Sequence, residues 1–146
     1  MFDKLAGLFG NNKKNKYANR TVLVVDDSPV DRKVAVSVLE RLGFNVITAV
    51  DGELGLQTAR AEKPSLIILD CEMPNVDGPE MCRRLKNDAQ LAKIPVLFLT
   101  GSQTPQNVIE CFETEAVSYI HKPVNAKFLA SQIDIIFEEF SPEKRP

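Results

Sequence analysis

The sequence has no tryptophan, one histidine and only three cysteines among its 146 residues. Cys71, Cys82 and Cys111 are odd in number and lack CxxC spacing, and the lone His121 offers them no zinc partner, so we expect ordinary buried thiols. No apolar run reaches the ~18 residues that a membrane helix needs. The N-terminus has no continuous hydrophobic region of a secretory signal. These absences predict a protein of the reducing cytoplasm.

The chain also lacks an excess of basic over acidic residues, since the net charge is −2 and the pI about 5.5. A nucleic-acid-binding domain usually carries a basic excess, so we expect no nucleic-acid partner. Residues 1–20 are the exception, because their five basic side chains face a single acid and follow a short apolar stripe (Phe2, Leu5, Leu8 and Phe9). We interpret residues 1–20 as an extension, and residues 1–16 as a possible contact with a partner protein or an anionic membrane.

From Thr21 the chain alternates between apolar β-branched runs and helical periodicity. Buried strands are predicted at 21–25, 46–49, 65–69, 96–100 and 118–120, with a helix after each. Three side chains expected to face the core from these helices are Val34, Leu54 and Phe128. The pattern predicts one domain over 21–140, followed by a short tail at 141–146.

Five strands that alternate with five helices indicate parallel βαβ units, because parallel strands need crossover connections. Right-handed crossovers then give a doubly wound three-layer α/β sandwich. We expect the flavodoxin-like (βα)5 arrangement with strand order 2-1-3-4-5.

Polar side chains follow four of the five predicted strands at the point where each strand ends. They are Asp26 and Asp27, Asp70, Thr100 and Lys122. In open α/β sheets the functional sites lie outside the carboxyl ends of the strands. In the order 2-1-3-4-5 the four contributing strands are neighbours, so these side chains should form one patch.

Three carboxylates in one patch repel each other unless a cation lies among them. Oxygen ligands with room for water suit Mg²⁺. A carboxylate can also act as a nucleophile and form an aspartyl phosphate, while a lysine and a hydroxyl hold the phosphoryl oxygens. Metal, nucleophile, lysine and hydroxyl together favour in-line phosphoryl transfer.

Four segments carry a family resemblance: VLVVDDS (22–28), LIILDCEMPNVDG (66–78), VLFLTG (96–101) and YIHKP (119–123). They resemble the receiver domains of bacterial two-component response regulators, in particular chemotaxis-type stand-alone regulators. The resemblance runs from about Thr21 to Phe140. It implies a switch that takes a phosphoryl group from a sensor histidine kinase.

The resemblance also implies a role for each residue of the patch. Asp26 and Asp27 would organise Mg²⁺, Asp70 would be both phosphoacceptor and metal ligand, and Glu72 would add its backbone carbonyl. The phosphoryl group would bind Thr100 and Lys122. Thr100 and Tyr119 would form the switch pair, and Lys122-Pro123 would be a cis peptide.

The chain departs from the family near the end of the fourth helix, where many receivers have a glycine. Here the stretch reads Glu113-Thr114-Glu115-Ala116, so the helix must end differently or accept backbone strain. Glu72 also places an acidic side chain at the mouth of the site, which leaves the phosphoryl lifetime open.

Only six residues follow Phe140, so we expect output through onward phosphotransfer or through a binding event at the face formed by the fourth helix, fifth strand and fifth helix. The protein would then be a signalling phosphoacceptor that only takes up and slowly hydrolyses its own phosphoryl group, rather than an enzyme acting on other substrates. The alternative is a receiver-like scaffold that binds its partner without phosphorylation. A dehalogenase-like phosphatase is disfavoured because Glu72 stands where it needs a second aspartate. A flavin carrier is disfavoured because Asp26 and Asp27 would repel its phosphate.

Overall fold

A computed structural model describes residues 17–101 and 104–139 of the chain. Their strands form one parallel sheet, with neighbours in the order β2-β1-β3-β4-β5. This order confirms the predicted flavodoxin-like topology. The strands are β1 (Thr21–Val25), β2 (Asn45–Ala49), β3 (Leu66–Leu69), β4 (Val96–Thr100) and β5 (Ser118–His121).

A helix follows each strand, and all five helices begin at a capping side chain. A side-chain oxygen at the N-cap accepts a hydrogen bond from the backbone N–H three residues later, which replaces a missing helical bond. The caps are Ser28, Asp51, Asp77, Thr104 and Asn125. The helices are α1 (Pro29–Arg41), α2 (Gly52–Glu62), α3 (Gly78–Lys86), α4 (Pro105–Glu113) and α5 (Ala126–Glu139).

The helices cover both faces of the sheet, as the predicted three-layer sandwich requires. Alternate strand residues point to opposite faces, so Val22 and Val24 pack with α1 and α5. Leu23 and Val25 pack with α2, α3 and α4 on the other side. Because β1, β3 and β4 are buried on both faces, their side chains can reach solvent only near the ends of the strands.

Three side chains predicted to lie in the core are exposed instead. Val34 is 44% exposed, Leu54 is 43% exposed and Phe128 is 49% exposed. Each helix contacts the sheet along one narrow stripe, and successive residues turn by about 100° around the axis. Leu54 therefore points about 200° away from buried Leu56 on the same helix.

The end of α4 closes without a glycine. Glu115 takes the left-handed conformation with φ of 67°, which costs a non-glycine residue roughly 1–2 kcal/mol. The buried Thr114 hydroxyl donates to the Cys111 carbonyl at 2.6 Å and so satisfies one of the carbonyls at the helix end. The end of α4 is therefore stabilised by the Thr114 side-chain hydrogen bond, while the backbone at Glu115 is strained.

Tyr17 anchors the start of the described chain to the core. Its side chain is only 2% exposed, its ring stacks on Phe44 at 4.3 Å between centroids, and its hydroxyl donates to Asp134 on α5. Burial, followed by the bond to Asp134, raises the pKa of Tyr17, so the phenol stays neutral. The last residues of the predicted extension thus pack on the domain.

The apolar stripe and the proposed contact segment of residues 1–16 lie outside the described residues, as does the predicted tail at 141–146. Within the part of the chain that the structure describes, no helix is long and apolar enough to span a membrane.

Replacement of Tyr17 should reveal how much this anchor contributes to stability. Tyr17→Ala removes a buried ring and should lower the free energy of unfolding by about 3 kcal/mol. Tyr17→Phe keeps the ring and should cost only about 1 kcal/mol for the lost hydrogen bond. Urea unfolding followed by circular dichroism measures both changes. Equal stability of Tyr17→Ala and the parent chain would contradict the anchor.

Candidate functional site

The predicted acids meet at the carboxyl end of the sheet. Asp26 directly follows β1 and Asp70 directly follows β3, and the Asp70 N–H donates to the Val25 carbonyl at 3.0 Å. One carboxylate oxygen from each of Asp26, Asp27 and Asp70 lies within 4.8 Å of the others. Asp26 and Asp70 are buried, whereas Asp27 is exposed. The structure therefore brings the three predicted acids into one cluster that opens to solvent on the Asp27 side.

Lys122 reaches this cluster from the end of β5. Its backbone N–H donates to the Thr100 carbonyl at 2.9 Å, and the following Lys122-Pro123 bond is cis, as expected. The Lys122 Nζ atom lies 2.7 Å from Asp26 Oδ2 and 3.6 Å from Asp70 Oδ2. The ammonium thus lies among carboxylates from two other strands.

Burial and the neighbouring charges of the cluster shift the pKa values of Asp70 and Lys122. Burial raises the pKa of Asp70 and the charge of Asp26 raises it further, while a hydrogen bond with Thr100 and the charge of Lys122 oppose the rise. Burial by itself would lower the pKa of Lys122, but hydrogen bonds to carboxylates outweigh it and the pKa is raised. Lys122 is therefore a permanent cation at neutral pH.

Gly78 allows α3 to begin directly against the strand end that carries Asp70. A Cβ atom at position 78 would lie 2.2 Å from the Asp70 carbonyl oxygen, which is closer than any real contact. The Gly78 N–H donates to the Cys71 carbonyl at 2.8 Å. This close approach fixes the backbone on either side of the Asp70 carboxylate.

Glu72 is exposed two residues after Asp70, and its carboxylate contacts α4. Its Oε1 atom accepts a hydrogen bond from Asn107 Nδ2 at 2.9 Å. The side chain therefore bridges the loop after β3 and the first turn of α4. Metal coordination by the backbone carbonyl of Glu72 stays a prediction.

The predicted switch residues lie on adjacent strands beside the cluster. Thr100 is 1% exposed and hydrogen-bonds to Asp70. Tyr119 is half-buried, and its ring stacks on Phe112 of α4 at 6.0 Å between centroids. Burial raises the pKa of Tyr119 to about 12, so its phenol stays neutral.

Asp31 is a site residue that the sequence reasoning missed. Its Oδ2 atom lies 2.9 Å from Lys122 Nζ, so Asp31 shares the ammonium with Asp26. In the sequence, Asp31 is marked only as an acid in the first turn of the helix after β1, four residues after Asp27. Nothing in the sequence around Asn107 indicates that its side chain binds Glu72.

The donor set fits a small hard cation. Three carboxylate oxygens within 4.8 Å are the ligand type that Mg²⁺ prefers, and exposed Asp27 leaves a side on which the ion can keep water. Asp26, Asp27 and Asp70 are the residues that would hold it.

Known proteins share the sequence pattern behind this geometry. The model of the response regulator receiver domain matches residues 22–134. The DNA-binding dual master transcriptional regulator RpaA of Synechocystis sp. is 37% identical over 112 residues, which are 77% of this chain and 46% of that protein. The hybrid signal transduction histidine kinase D of Dictyostelium discoideum is 33% identical over 86% of this chain and 8% of its own length. The chain thus spans half or less of these curated relatives.

Solved structures share the fold over their full length. The chemotaxis protein CheY4 of Vibrio cholerae is 30% identical with a TM-score of 0.74, over 80% of this chain and 98% of that one. A response regulator from Chloroflexus aurantiacus is 29% identical with a TM-score of 0.78, over 82% of this chain and 98% of that one.

Magnesium should stabilise the chain through the acid cluster. At a concentration about 100 times its Kd, the ion should add about 2.7 kcal/mol to the free energy of unfolding. Asp27→Asn, which removes an exposed ligand, should gain less, whereas Asp51→Asn keeps its helix cap and should respond like the parent chain. Thermal unfolding with and without MgCl₂ measures the gain. An equal gain in Asp27→Asn would show that magnesium binds elsewhere.

Proposed function

We propose that this chain, which belongs to the response regulator receiver family, is a phosphorylation-dependent signalling switch with Asp70 as its phosphoacceptor. The family is that of the two-component systems, and receiver domains bind Mg²⁺ in an acidic pocket. The observation that carries the proposal is the surroundings of Asp70. A carboxylate directly after the central strand β3 lies beside two further acids, a hydroxyl and a lysine.

The phosphoryl group comes from a phosphohistidine of a sensor kinase. A carboxylate oxygen of Asp70 attacks the phosphorus, the P–N bond breaks, and the imidazole nitrogen leaves with the electron pair and then takes up a proton. Mg²⁺ supplies charge neutralisation for the phosphoryl oxygens when bound. The Lys122 ammonium and the Thr100 hydroxyl orient and stabilise the same oxygens. Later hydrolysis by water returns the free carboxylate.

The phosphoryl group then changes the surface near Tyr119. It adds roughly −1.5 to −2 charges and draws the Thr100 hydroxyl from its bond with the Asp70 carboxylate towards the phosphoryl oxygens. Tyr119 turns towards the space that Thr100 leaves. This reshapes the face of α4, β5 and α5, where Ile109 and Phe112 are already 56% and 59% exposed. An output protein that binds this face reads the phosphorylation state.

Glu72 and Asn107 set how easily water reaches the phosphoryl group. Their 2.9 Å hydrogen bond holds the Glu72 carboxylate against the first turn of α4. Loss of this bond would free an acidic side chain two residues from Asp70. We expect the phosphoryl lifetime to depend on this pair.

Asp70 should be the single site of labelling by a small phosphoryl donor. Incubation with acetyl phosphate and MgCl₂ should add one phosphoryl mass to the parent chain and to Asp51→Asn, and none to Asp70→Asn. Intact-mass spectrometry measures the labelling, with circular dichroism to verify the fold of each variant. Labelling of Asp70→Asn at the parent level would overturn the assignment. A chain that folds, binds its output protein and accepts no phosphoryl group would instead be the phosphorylation-independent scaffold.

Asp31 should weaken binding of the phosphoryl group, because it competes for Lys122. Its carboxylate lies 2.9 Å from the ammonium, closer than the 3.6 Å of Asp70. The Asp31 side chain is 44% exposed, and such ion pairs are worth up to about 1 kcal/mol. Asp31→Asn should therefore bind beryllofluoride with magnesium up to about fivefold more tightly.

Asp51→Asn is the matched control for Asp31→Asn. It also removes one acidic charge from the start of a helix, but this helix follows β2, the edge strand that contributes no residue to the site. Isothermal titration of each variant gives the affinity. Weaker binding by Asp31→Asn would mean that Asp31 holds Lys122 in place for the phosphoryl group.

A further inference from the structure

Two cysteines that are distant in the sequence are in direct contact next to the phosphoacceptor. Cys71 directly follows Asp70, and Cys111 lies in the last turn of α4, 40 residues later. Their Sγ atoms are 3.4 Å apart, with the Cys111 thiol donating to the Cys71 sulfur. Both side chains are buried, at 2% and 1% exposure. The contact between these two side chains joins the end of β3 to α4.

The third cysteine is equally buried but differently placed. Cys82 is 0% exposed and its thiol donates to the Thr114 carbonyl at 3.5 Å. Its contact is with a backbone oxygen, whereas Cys71 and Cys111 contact each other. Burial of Cys82 raises the pKa of its thiol, which makes it a poor nucleophile.

The contact places the two thiols where they can react with each other. Whichever sulfur is oxidised first, the other lies 3.4 Å away and can displace the oxygen from it.

We propose that Cys71 and Cys111 are the site of a reversible intramolecular disulfide formed by hydroperoxides. A disulfide sulfur pair is about 2.0 Å apart, so the two Sγ atoms need to approach by roughly 1.4 Å. Side-chain rotation and a small shift of the last turn of α4 supply this movement. The bond ties the segment that carries Asp70 to the helix that borders Tyr119.

The chemistry balances with one peroxide molecule per disulfide. One thiol of the pair, as its thiolate, attacks a peroxide oxygen, the O–O bond breaks, and hydroxide leaves and is protonated to water, giving a sulfenic acid. The other sulfur then attacks the oxidised sulfur, the S–O bond breaks, and a second water leaves. Two thiols and one hydrogen peroxide give one disulfide and two waters. A dithiol reductant reverses the reaction by exchange.

The location gives the disulfide a direct consequence for the backbone. Cys71 also accepts a hydrogen bond from the Gly78 N–H through its carbonyl, so its main chain is fixed beside Asp70. A covalent tie at this residue restricts α4 relative to the strand end. If the proposed phosphorylation switch is correct, the tie couples the redox state to the movement of that face, but the disulfide itself does not depend on phosphorylation.

Peptide mapping of the parent chain tests the disulfide without any substitution. The folded chain is treated with hydrogen peroxide, quenched with catalase, unfolded in acid and alkylated. We expect a Cys71–Cys111 cross-linked peptide, a loss of two hydrogen atoms from the intact mass, and full recovery of three thiols with dithiothreitol. Cys82→Ser, a matched change of a buried thiol, should give the same cross-link. Cys111→Ser should give no cross-link.

Several results would overturn the proposal. Three free thiols in the parent chain after treatment, a cross-link that includes Cys82, or cross-links between molecules would each do so. The disulfide closes a loop of about 40 residues and should raise the midpoint of thermal unfolding by restricting the unfolded chain. A lower midpoint for the oxidised chain would show that the fold must distort to form the bond, and would also overturn the proposal.

Discussion

The ammonium of Lys122 lies between carboxylates that would otherwise repel each other at the end of the sheet. Two unit charges 4.8 Å apart repel by about 3.5 kcal/mol at an effective dielectric constant near 20. The parallel sheet leaves few ways to avoid this repulsion, because β1 and β3 are neighbours and both end in aspartate. Lys122 arrives from β5, and its contacts at 2.7 and 3.6 Å offset the repulsion. The acidic charge that Lys122 leaves unbalanced favours a further cation at the cluster.

The fold and most of the acid cluster were predictable from the sequence because both depend on local patterns. The buried runs at Val22–Val25 and Leu66–Leu69 predict parallel strands, and the strand order then brings Asp26, Asp70 and Lys122 together. The strand order was predicted from the alternation of five strands with five helices, and the structure has that order. Helical periodicity was less informative, since it predicted a buried Phe128 where the narrow contact of α5 leaves the ring 49% exposed.

The contacts that were missed join residues far apart in the chain. Asp31 and Lys122 are 91 residues apart, Glu72 and Asn107 are 35 apart, and Tyr17 reaches Asp134 across 117. A local pattern can mark one member of such a pair, as the strand end marks Lys122, but it does not indicate which distant residue that member contacts. The left-handed Glu115 was foreseen only as a difficulty, because the absence of glycine shows that a helix end is strained and does not show how it closes.

The most direct test of the account is to locate the acyl phosphate chemically. Borohydride reduces an aspartyl phosphate to homoserine, which marks the acceptor in the peptide chain. After phosphorylation by acetyl phosphate with magnesium and borohydride trapping, tandem mass spectrometry should find homoserine at position 70 and nowhere else. Homoserine at position 26 or 27, or its absence in a chain that has gained a phosphoryl mass, would contradict the central claim that Asp70 is the phosphoacceptor.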